Sequence, residues 1–488
     1  MTPSRRDHLR WLAAMPFAAV ANRAAAMRTS APDPAPVGAF AGTWSGMVAD
    51  EGGRMSRFRL VITPAGGVEL FAVDIGLVDA RGTETEWHGA TMAVAFADLG
   101  VAVRGKLLDR DRMEAVVVAD GQSQTTTLVR GDLYAVAVPK LPPGPMDAAR
   151  LRSLLLLSEA PGIGIGWATR GGPRHLLVDG VRSLAAAERV TAADAWHIGS
   201  ITKSMTATLA ARLVEAGRLR WTGTVGEVLG SAVPTMRTEY RQATLVDLLS
   251  HHAGLPRDAP AAARTFPVGP VADVATQRLA YARLALTAPP VAAPRTTLNY
   301  SNAGYVVAGA MLERVTGTPW EVLMRRHLFA PLDLRGAGFG PPAASGRTDQ
   351  PVGHARGRDG RLHPWTDPAV ADIPTVLGPA GLVHASLDDL LAYLAAHRDR
   401  PARLLTREGW DRLHTPPFGD GYALGWGVDT QGSLAHAGSN GMWIANVAVD
   451  RPSGTVFAGA LNAPTPQAIA VLRQASEAVA TPAPPIAG

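Results

Sequence analysis

Closely spaced prolines near residue 140 divide the chain into two parts with different patterns. The segment Val138-Pro139-Lys140-Leu141-Pro142-Pro143-Gly144-Pro145 cannot continue a helix or a central strand, because proline lacks the backbone N–H and its ring restricts φ. At 488 residues the chain is also too long for one ordinary domain. The sequence therefore predicts an all-β accessory module over 37–135, a Pro-rich linker over 136–147 and a larger domain over 148–482.

Short strands separated by glycine turns are predicted over about 40–130. Phe58, Leu60 and Ile62 alternate with their neighbours, as expected for a strand with one buried face, and Ala65-Gly66-Gly67 supplies a turn. A small barrel or sandwich fits this pattern best.

The larger domain mixes strand and helix patterns over long distances. A strand is predicted at Gly162 to Ala168, a helix from Ser200 to about Ala216, and a closing hairpin at Trp443 to Val449 and Thr455 to Leu461. Strands at both ends with helices between them predict one sheet built from distant segments.

Four further local predictions bear on the surroundings of a site. The spacing of Ser386 and Asp389 predicts a helix that begins with a capping box. A strand is predicted around Tyr422 to Val428. The stretches 256–294 and 336–374 are rich in Pro, Gly and Arg with only short helical pieces, so we interpret them as loops that border an active site.

Composition excludes several classes of function. The chain has a net charge of +5, but its Lys and Arg residues are scattered and no nucleic-acid-binding signature is present, so no nucleic-acid partner is expected. Cysteine is absent, which excludes disulfides, a thiol nucleophile and a cysteine-ligated metal. Neither a cofactor nor a metal is predicted, and the oligomeric state is left open.

The N-terminal segment 1–36 resembles a twin-arginine export signal followed by a proline-rich spacer. Arg5 and Arg6 precede an apolar run from Trp11 to Ala21 and a group of small residues at Ala24-Ala25-Ala26. The competing interpretation is a basic terminus that precedes an apolar stretch by chance. No later apolar run is long enough to span a bilayer, so we expect a periplasmic or secreted protein without a transmembrane segment after export.

A serine and a lysine stand one helical turn apart in a chain that contains few lysines. In Gly199-Ser200-Ile201-Thr202-Lys203, residues three apart share a helix face, so the Lys203 amine can reach the Ser200 hydroxyl. An activated serine nucleophile requires such a neighbouring base. The alternative is a helix N-cap serine with a solvated lysine, since this spacing also arises by chance.

Two later motifs complete a resemblance to a known family. They are Tyr300-Ser301-Asn302 and His436-Ala437-Gly438, the second in a short predicted strand. Each alone has a structural interpretation, as a core tyrosine or a structural histidine. In this order, with Ser200 and Lys203, they are similar to the three signature motifs of serine hydrolases related to class C β-lactamases and penicillin-binding proteins. Two further segments are also similar to that family: Leu248-Leu249-Ser250-His251-His252-Ala253-Gly254-Leu255, and Pro379-Ala380-Gly381-Leu382-Val383 followed by Asp388-Asp389-Leu390.

The resemblance implies an α+β fold with an antiparallel sheet flanked by helices, plus a helical subdomain. It further implies that Ser200 is acylated, that Lys203 accepts its proton and that Tyr300 is a second acid/base group. Asn302, His436 and Gly438 would contact substrate. The backbone N–H groups of Ser200 and Ser439 would form the oxyanion hole. Which group is the base during acylation stays open.

His436 departs from the lactamase pattern, in which lysine occupies this position and binds a carboxylate. An imidazole is mostly neutral at pH 7. We therefore predict hydrolysis of small-molecule or peptide esters or amides, with a true β-lactamase or a D-Ala-type peptidase as the alternative.

Two functions of other classes compete with hydrolysis by an activated serine. One is a catalytically silent protein that binds a wall fragment, a sugar or a lipid. The other is a metal hydrolase, suggested by 13 histidines and by the pair His251-His252, but no His-Glu-x-x-His motif is present.

Overall fold

The computed structural model describes most of the chain between residues 37 and 480. Contacts divide the described residues into two compact units, one made of those before 137 together with segments within 260–265 and 356–361, the other made of the remaining described residues. The predicted export signal and spacer over 1–36 lie outside the described residues. The described residues are 37–49, 55–72, 77–96, 99–119, 122–132, 138–260, 262–357, 359–367 and 370–480.

One antiparallel sheet of nine strands makes up most of the first unit. Its elements are α1 (Val37–Phe40), β1 (Gly42–Ala49), β2 (Met55–Ile62), β3 (Val68–Ala72), β4 (Leu77–Arg81), β5 (Glu84–His88), β6 (Thr91–Phe96), β7 (Val101–Leu107), β8 (Arg112–Ala119) and β9 (Gln122–Arg130). The strand order is β4-β3-β2-β1-β9-β8-β7-β6-β5. The edge strands β4 and β5 are therefore consecutive in the chain.

The sheet closes into a barrel where β4 meets β5. Only Gly82 and Thr83 separate these strands. The Gly82 N–H donates to Val68 O and the Thr83 N–H donates to Ala95 O, both at 2.8 Å. One bent segment thus connects the two edge strands of the sheet.

Apolar side chains fill the barrel interior. A Cβ atom on Gly46 would overlap Leu128, and one on Gly105 would overlap Met113. Barrels of about this strand number are just wide enough for side chains to fill. The interior is a packed core that includes Phe40, Trp44, Phe58, Leu60, Ile62, Val68, Leu70, Met92, Val94, Phe96, Val103, Met113 and Leu128.

From residue 138 onward, helices and strands follow one another along the chain. The strands are β10 (Gly162–Ala168), β11 (Arg174–Gly180), β12 (Ala195–His197), β13 (Gly338–Phe339), β14 (His354–Arg356), β15 (Leu362–Pro364), β16 (Val383–Ser386), β17 (Gly427–Val428), β18 (Leu434–Ser439), β19 (Ile444–Asp450) and β20 (Thr455–Leu461). The helices are α2 (Ala148–Ser158), α3 (Thr202–Glu215), α4 (Val225–Leu229), α5 (Thr238–Arg241), α6 (Leu245–Leu249), α7 (Ala262–Thr265), α8 (Val274–Thr287), α9 (Asn302–Thr316), α10 (Trp320–Met324), α11 (Ala330–Leu332), α12 (Gly378–Gly381), α13 (Leu387–Asp399), α14 (Arg407–His414) and α15 (Ala468–Ala480). Short 3₁₀ turns occupy Gly199–Ile201 and Thr375–Leu377, and a π-helical turn occupies Arg325–Phe329. No helix in the described ranges has the length and hydrophobicity needed to cross a membrane.

The second unit is built on a six-stranded antiparallel sheet with the order β11-β10-β20-β19-β18-β17. Strand β10 pairs with β20 from the other end of the chain, with Ile163 opposite Leu461. Apolar residues of α2 and α15 pack on one face, whereas Cβ atoms at Gly164 and Gly166 would meet side chains of α13. Successive strand residues point to opposite faces, so α13 covers the other face. The predicted α+β fold is confirmed.

The interpretation of 256–294 as a loop with only short helical pieces is wrong. Helix α8 runs for 14 residues within it. Its buried face includes Arg278, whose guanidinium forms ion pairs with Glu313 and Glu321. A charged side chain on the buried face interrupts the apolar pattern that predicts a helix.

The predicted strand from Tyr422 to Val428 is reduced to the two residues of β17. Gly425 has φ of +78°, and a Cβ atom there would lie 2.6 Å from Ser204 Cα. The chain therefore turns at Gly425, against the start of α3, because only glycine combines this φ with such a close approach.

Candidate active site

Ser200 lies in the 3₁₀ turn directly before α3, and Lys203 lies in the first turn of that helix. The Ser200 side chain is partly exposed, whereas Lys203 is completely buried. Lys203 Nζ lies 2.9 Å from Ser200 Oγ, 2.8 Å from Asn302 Oδ1 and 2.8 Å from Ala380 O. Three separate segments therefore converge on one amine: the start of α3, the start of α9 and α12.

The environment of Lys203 favours its neutral form. Burial lowers the pKa of Lys203 well below its usual value, and the positive charge of Arg257 lowers it further. The carboxylate of Asp258 acts in the opposite direction with a smaller effect. Burial has the largest effect on the Lys203 pKa, because moving a charged ammonium group out of water costs more free energy than moving the neutral amine.

The amide of Asn302 is held in one orientation. Its Nδ2 donates to the two carboxylate oxygens of Asp258 at 3.2 and 3.3 Å, so Oδ1 faces Lys203 Nζ. Asn302 Oδ1 and Ala380 O can only accept hydrogen bonds, so they take the two N–H bonds of a neutral lysine. The lone pair of Nζ then faces the Ser200 hydroxyl, which is the geometry needed to accept its proton.

The phenol of Tyr300 is a hydrogen-bond partner of the Ser200 hydroxyl. Burial raises the pKa of Tyr300 to about 12, although Ser200 and the charge of Arg257 lower it. Lys203 Nζ lies 4.8 Å from the Tyr300 ring centroid, and the Arg257 guanidinium lies 5.2 Å from it. Tyr300 therefore keeps its proton at neutral pH and can donate it.

Strand β18 passes the 3₁₀ turn with backbone against backbone. A Cβ atom on Gly438 would lie 2.5 Å from Ser200 N, and one on Gly199 would lie 2.8 Å from Gly438 C. Strand β17 pairs only with Leu434 and Ala435 of β18. Among the described strands, none pairs with β18 beyond Ala435 on that side; Gly438 itself is buried, whereas the neighbouring Ala437 is exposed.

His436 is a buried neutral imidazole on β18. Its Nδ1 lies 2.7 Å from Ala437 O and its Nε2 lies 3.1 Å from the Tyr422 hydroxyl. Burial lowers the pKa of His436 to about 4, with a further contribution from the charge of Lys203. Because Ala437 O can only accept, Nδ1 carries the proton in the neutral ring.

The structure brings all the predicted site residues into one region, in two groups. Lys203 contacts Ser200, Tyr300 and Asn302, and Tyr300 is in turn a partner of Ser200. His436, Gly438 and Ser439 lie together on β18, beside the 3₁₀ turn.

Four residues at the site were missed by sequence reasoning. Arg257 and Asp258 control the charge around Lys203 and the orientation of Asn302, and they follow the Leu248 to Leu255 segment that we did identify. Tyr422 binds His436, and Ala380 contributes only its backbone carbonyl. The segment around Ala380 was itself recognised as similar to the family, so only the role of its carbonyl was missed, and the charged pair beside the Leu248 to Leu255 segment is a signal that could have been used.

The adjacent histidines have separate structural partners. His251 Nδ1 accepts a hydrogen bond from the Ser301 N–H at 3.0 Å, and the ring packs 4.3 Å from that of Tyr300. His252 Nε2 lies 2.9 Å from Asp420 Oδ2. No group of three His, Asp or Glu residues suited to hold a metal ion occurs within the described residues.

Residues 156–480 match the family model described as Beta-lactamase. Because the match spans more than half of the chain, the protein belongs to the Beta-lactamase family, and the resemblance inferred from the motifs is confirmed.

Sequence relatives and solved structures agree with this assignment. The chain is 28% identical over 309 residues to penicillin-binding protein 4 of Amycolatopsis lactamdurans, covering 59% of this chain and 77% of that protein. It is 33% identical over 167 residues to an unguisins hydrolase of Aspergillus violaceofuscus, covering 32% of this chain but only 27% of that protein. It shares the fold of the octameric penicillin-binding protein homologue from Pyrococcus abyssi, with a TM-score of 0.55, 24% identity, and coverage of 67% of this chain and 78% of that one.

Proposed function

We propose that this protein is a serine hydrolase that forms an acyl-enzyme on the Ser200 hydroxyl. The observation that carries the proposal is the 2.9 Å contact between Ser200 Oγ and the fully buried Lys203 Nζ. In acylation, the hydroxyl proton passes to Nζ while Oγ bonds to the substrate carbonyl carbon, and collapse of the tetrahedral intermediate releases the alcohol or amine. Water then attacks the acyl carbonyl, which frees the acid and restores Ser200.

The protonation state of Lys203 decides whether it can act as the base. Three acceptors around Nζ would also satisfy an ammonium, so hydrogen-bond geometry alone does not select the neutral form. Burial and the charge of Arg257 both lower the lysine pKa, which supports a neutral amine in the resting enzyme.

We assign catalytic or binding roles to the other site groups from the protons and hydrogen bonds that each can offer to a substrate. Tyr300, with a pKa raised to about 12, is a phenol that can protonate the leaving group or assist deacylation. The backbone N–H groups of Ser200 and Ser439 come from the two segments in backbone contact and would bind the developing oxyanion. Asn302 and His436 would line the substrate on either side.

Esters or amides that need no carboxylate beside β18 are the proposed substrates. The support is the burial of His436, which lowers its pKa to about 4 and so favours a neutral imidazole, without the fixed charge that a lysine would bring to this position.

A peptidase or lactamase that acts on D-Ala-type peptides or β-lactams is the second candidate. It is supported by the similarity to penicillin-binding protein 4 over 309 residues. Comparison of turnover on short-chain nitrophenyl esters, D-amino-acid peptides and a chromogenic cephalosporin separates the two candidates.

Labelling with a fluorophosphonate tests the nucleophile. Ser200→Ala should abolish both labelling and ester turnover. Ser204→Ala is the matched control, because the Ser204 hydroxyl lies on the same helix but donates to Ile201 O. Mass spectrometry of the trapped adduct should locate it on Ser200, and labelling that persists in Ser200→Ala would refute the assignment.

We also propose that the chain is exported through its twin-arginine-like segment. The supporting residues are Arg5 and Arg6 ahead of an apolar run. Replacing both by lysine should retain the protein in the cytoplasm, whereas Arg23→Lys should leave export unchanged. Export of the double lysine variant at the wild-type level would contradict the proposal.

A further inference from the structure

The two proposed oxyanion donors belong to segments far apart in the chain, and a buried carboxylate connects those segments. Ser200 follows β12, whereas Ser439 ends β18. Asp372 contacts residues that flank both of them, His197 on one side and Asn440 on the other. We call this arrangement the Asp372 bridge.

On the Ser200 side, the bridge acts through His197. The Gly199 N–H donates to His197 Nδ1 at 3.2 Å, so the proton of the neutral ring is on Nε2. His197 Nε2 lies 3.2 Å from Asp372 Oδ1, and the ring is completely buried. His197 Nε2 has no hydrogen-bond partner among the described residues, so the carboxylate contacts the ring without a hydrogen bond, and the ring accepts a hydrogen bond from the backbone immediately before Ser200.

On the Ser439 side, the bridge acts through Asn440. Asn440 Nδ2 donates to Asp372 Oδ1 at 3.0 Å. Asn440 Oδ1 accepts hydrogen bonds from the backbone N–H groups of Met442 and Trp443, both at 3.1 Å. The amide is therefore fixed at both ends and holds the turn that follows Ser439.

The two sides meet with almost no free space between them. A Cβ atom on Gly199 would overlap Ser439 N, and one on Gly438 would lie 2.5 Å from Ser200 N. The His197 ring also stacks on Trp443, with 5.7 Å between centroids. A shift of His197 relative to Asn440 would thus change the spacing between the Ser200 and Ser439 backbones.

Stability alone does not account for a carboxylate at this place. Asp372 is 8% exposed, and its Oδ2 has no hydrogen-bond partner among the described residues. Burying a carboxylate with incomplete hydrogen bonding costs free energy, and an apolar residue of similar volume is often as stable or more so. A positional role explains why the charge lies between these two segments.

We propose that Asp372 is a positioning residue that sets the spacing of the Ser200 and Ser439 backbone N–H groups. This inference rests on the proposed acyl-enzyme function. Its effect is on the transition state, because the oxyanion forms only there and donors must lie where the charge develops.

Asp372→Asn tests the proposal, since it keeps the shape and removes the charge. Displacement of the donors should lower kcat for esters on the order of 10- to 100-fold with KM within about twofold. Asp194→Asn is the matched control, because Asp194 is also a buried carboxylate but pairs with Arg182. The control should lose melting temperature to a similar degree and keep most of its kcat.

Thionoester substrates supply a readout that a purely structural role would not move. Sulfur is larger than oxygen and accepts hydrogen bonds more weakly, so the preference for oxoester over thionoester depends on how closely the two donors are held. This preference should fall at least about fivefold in Asp372→Asn and stay unchanged in Asp194→Asn.

A second variant covers the case in which Asp372→Asn fails to fold. Asn440→Ala keeps the carboxylate and removes its contact to the Ser439 side, so it should show the same fall in kcat and in oxoester preference. An unchanged kcat in a folded Asp372→Asn protein, or an unchanged preference in Asn440→Ala, would overturn the inference. Fluorophosphonate labelling of the wild type tests the proposed function separately. If Ser200 is labelled, the proposed nucleophile stands even when the Asp372 inference fails.

Discussion

Gly199 and Gly438 lie backbone to backbone, and their contact joins the 3₁₀ turn that carries Ser200 to strand β18. A Cβ atom on Gly438 would lie 2.5 Å from Ser200 N and would overlap Ile198 O. Gly199 has φ of +49°, a conformation that side chains disfavour. The two segments can approach this closely only because neither residue has a side chain.

Gly438→Ala should therefore remove activity and also lower stability, because the atoms that the methyl group would overlap are backbone atoms. The added methyl group pushes β18 away from the turn and separates the Ser200 and Ser439 backbones. We expect kcat for esters to fall by about 100-fold or more, as for loss of one oxyanion donor. Gly144→Ala is the control, because Gly144, like Gly438, has no positive φ and a Cβ atom there meets nothing within 4 Å. Wild-type kcat in Gly438→Ala would contradict the role of this contact.

Activity should rise with pH as Lys203 loses its proton. A base works only when unprotonated, and burial with Arg257 lowers the pKa of Lys203, so the acidic limb of kcat/KM should lie well below pH 10. Removing the positive charge in Arg257→Gln should move this limb to higher pH by about 0.5 pH unit. A limb that stays in place, or moves to lower pH, would show that Lys203 is not the titrating base.

Lys203→Arg should be nearly inactive although arginine is also a long basic side chain. A guanidinium cannot lose its proton in a protein, so it cannot accept one from Ser200. We expect a fall in kcat of about 10³-fold or more, measured with a nitrophenyl ester. Substantial activity would assign the acylation base to Tyr300 instead.

His436→Lys should shift preference toward substrates with a carboxylate. A charge-assisted hydrogen bond of about 1.5–3 kcal/mol corresponds to roughly a 10- to 100-fold gain. We expect penicillin acylation to increase relative to ester turnover by at least about tenfold. His436→Gln controls for loss of the imidazole. An equal ratio of penicillin acylation to ester turnover in the two variants would show that the charge at position 436 does not set this preference.

Buried neutral histidines should make the fold sensitive to acid. Burial lowers the pKa of His354 to about 4 and that of His397 to about 3. Both pKa values lie below the unfolded value near 6.5, so the unfolded chain binds more protons as pH falls below 6.5. His354 should cost about 3 kcal/mol and His397 about 4 kcal/mol of unfolding free energy between pH 6.5 and the folded pKa of each.

Urea unfolding at several pH values checks this expectation. His354→Asn retains a donor toward Asn462 O, which now receives a hydrogen bond from His354 Nδ1. The variant should show a shallower loss of unfolding free energy between pH 6.5 and 4.5. A slope equal to that of the wild type would show that His354 titrates normally in the folded protein.

Local geometry explains why some elements were predictable. A helix places residues three apart on one face, so the spacing of Ser200 and Lys203 was sufficient to predict their contact. The capping box of Ser386 and Asp389 forms as the spacing indicates. These features depend on hydrogen bonds within one turn of the chain.

Contacts between distant segments were not predictable in the same way. Helix α8 was missed because Arg278 is buried against two glutamates that follow it by 35 and 43 positions. The strand predicted at Tyr422 was interrupted because Gly425 turns against Ser204. In each case a residue far away in the chain determines the local structure, so the local pattern alone does not predict it.

The sequence by itself determined the family, the α+β class and the candidate nucleophile, since these follow from short spacings and ordered motifs. Only the tertiary structure decided the state of Lys203. Burial, Ala380 O, Arg257 and the Asp258–Asn302 pair come from other segments, and together they favour a neutral amine that faces Ser200. Desolvation and charge proximity depend on three-dimensional packing, which the spacing of residues along the chain does not specify.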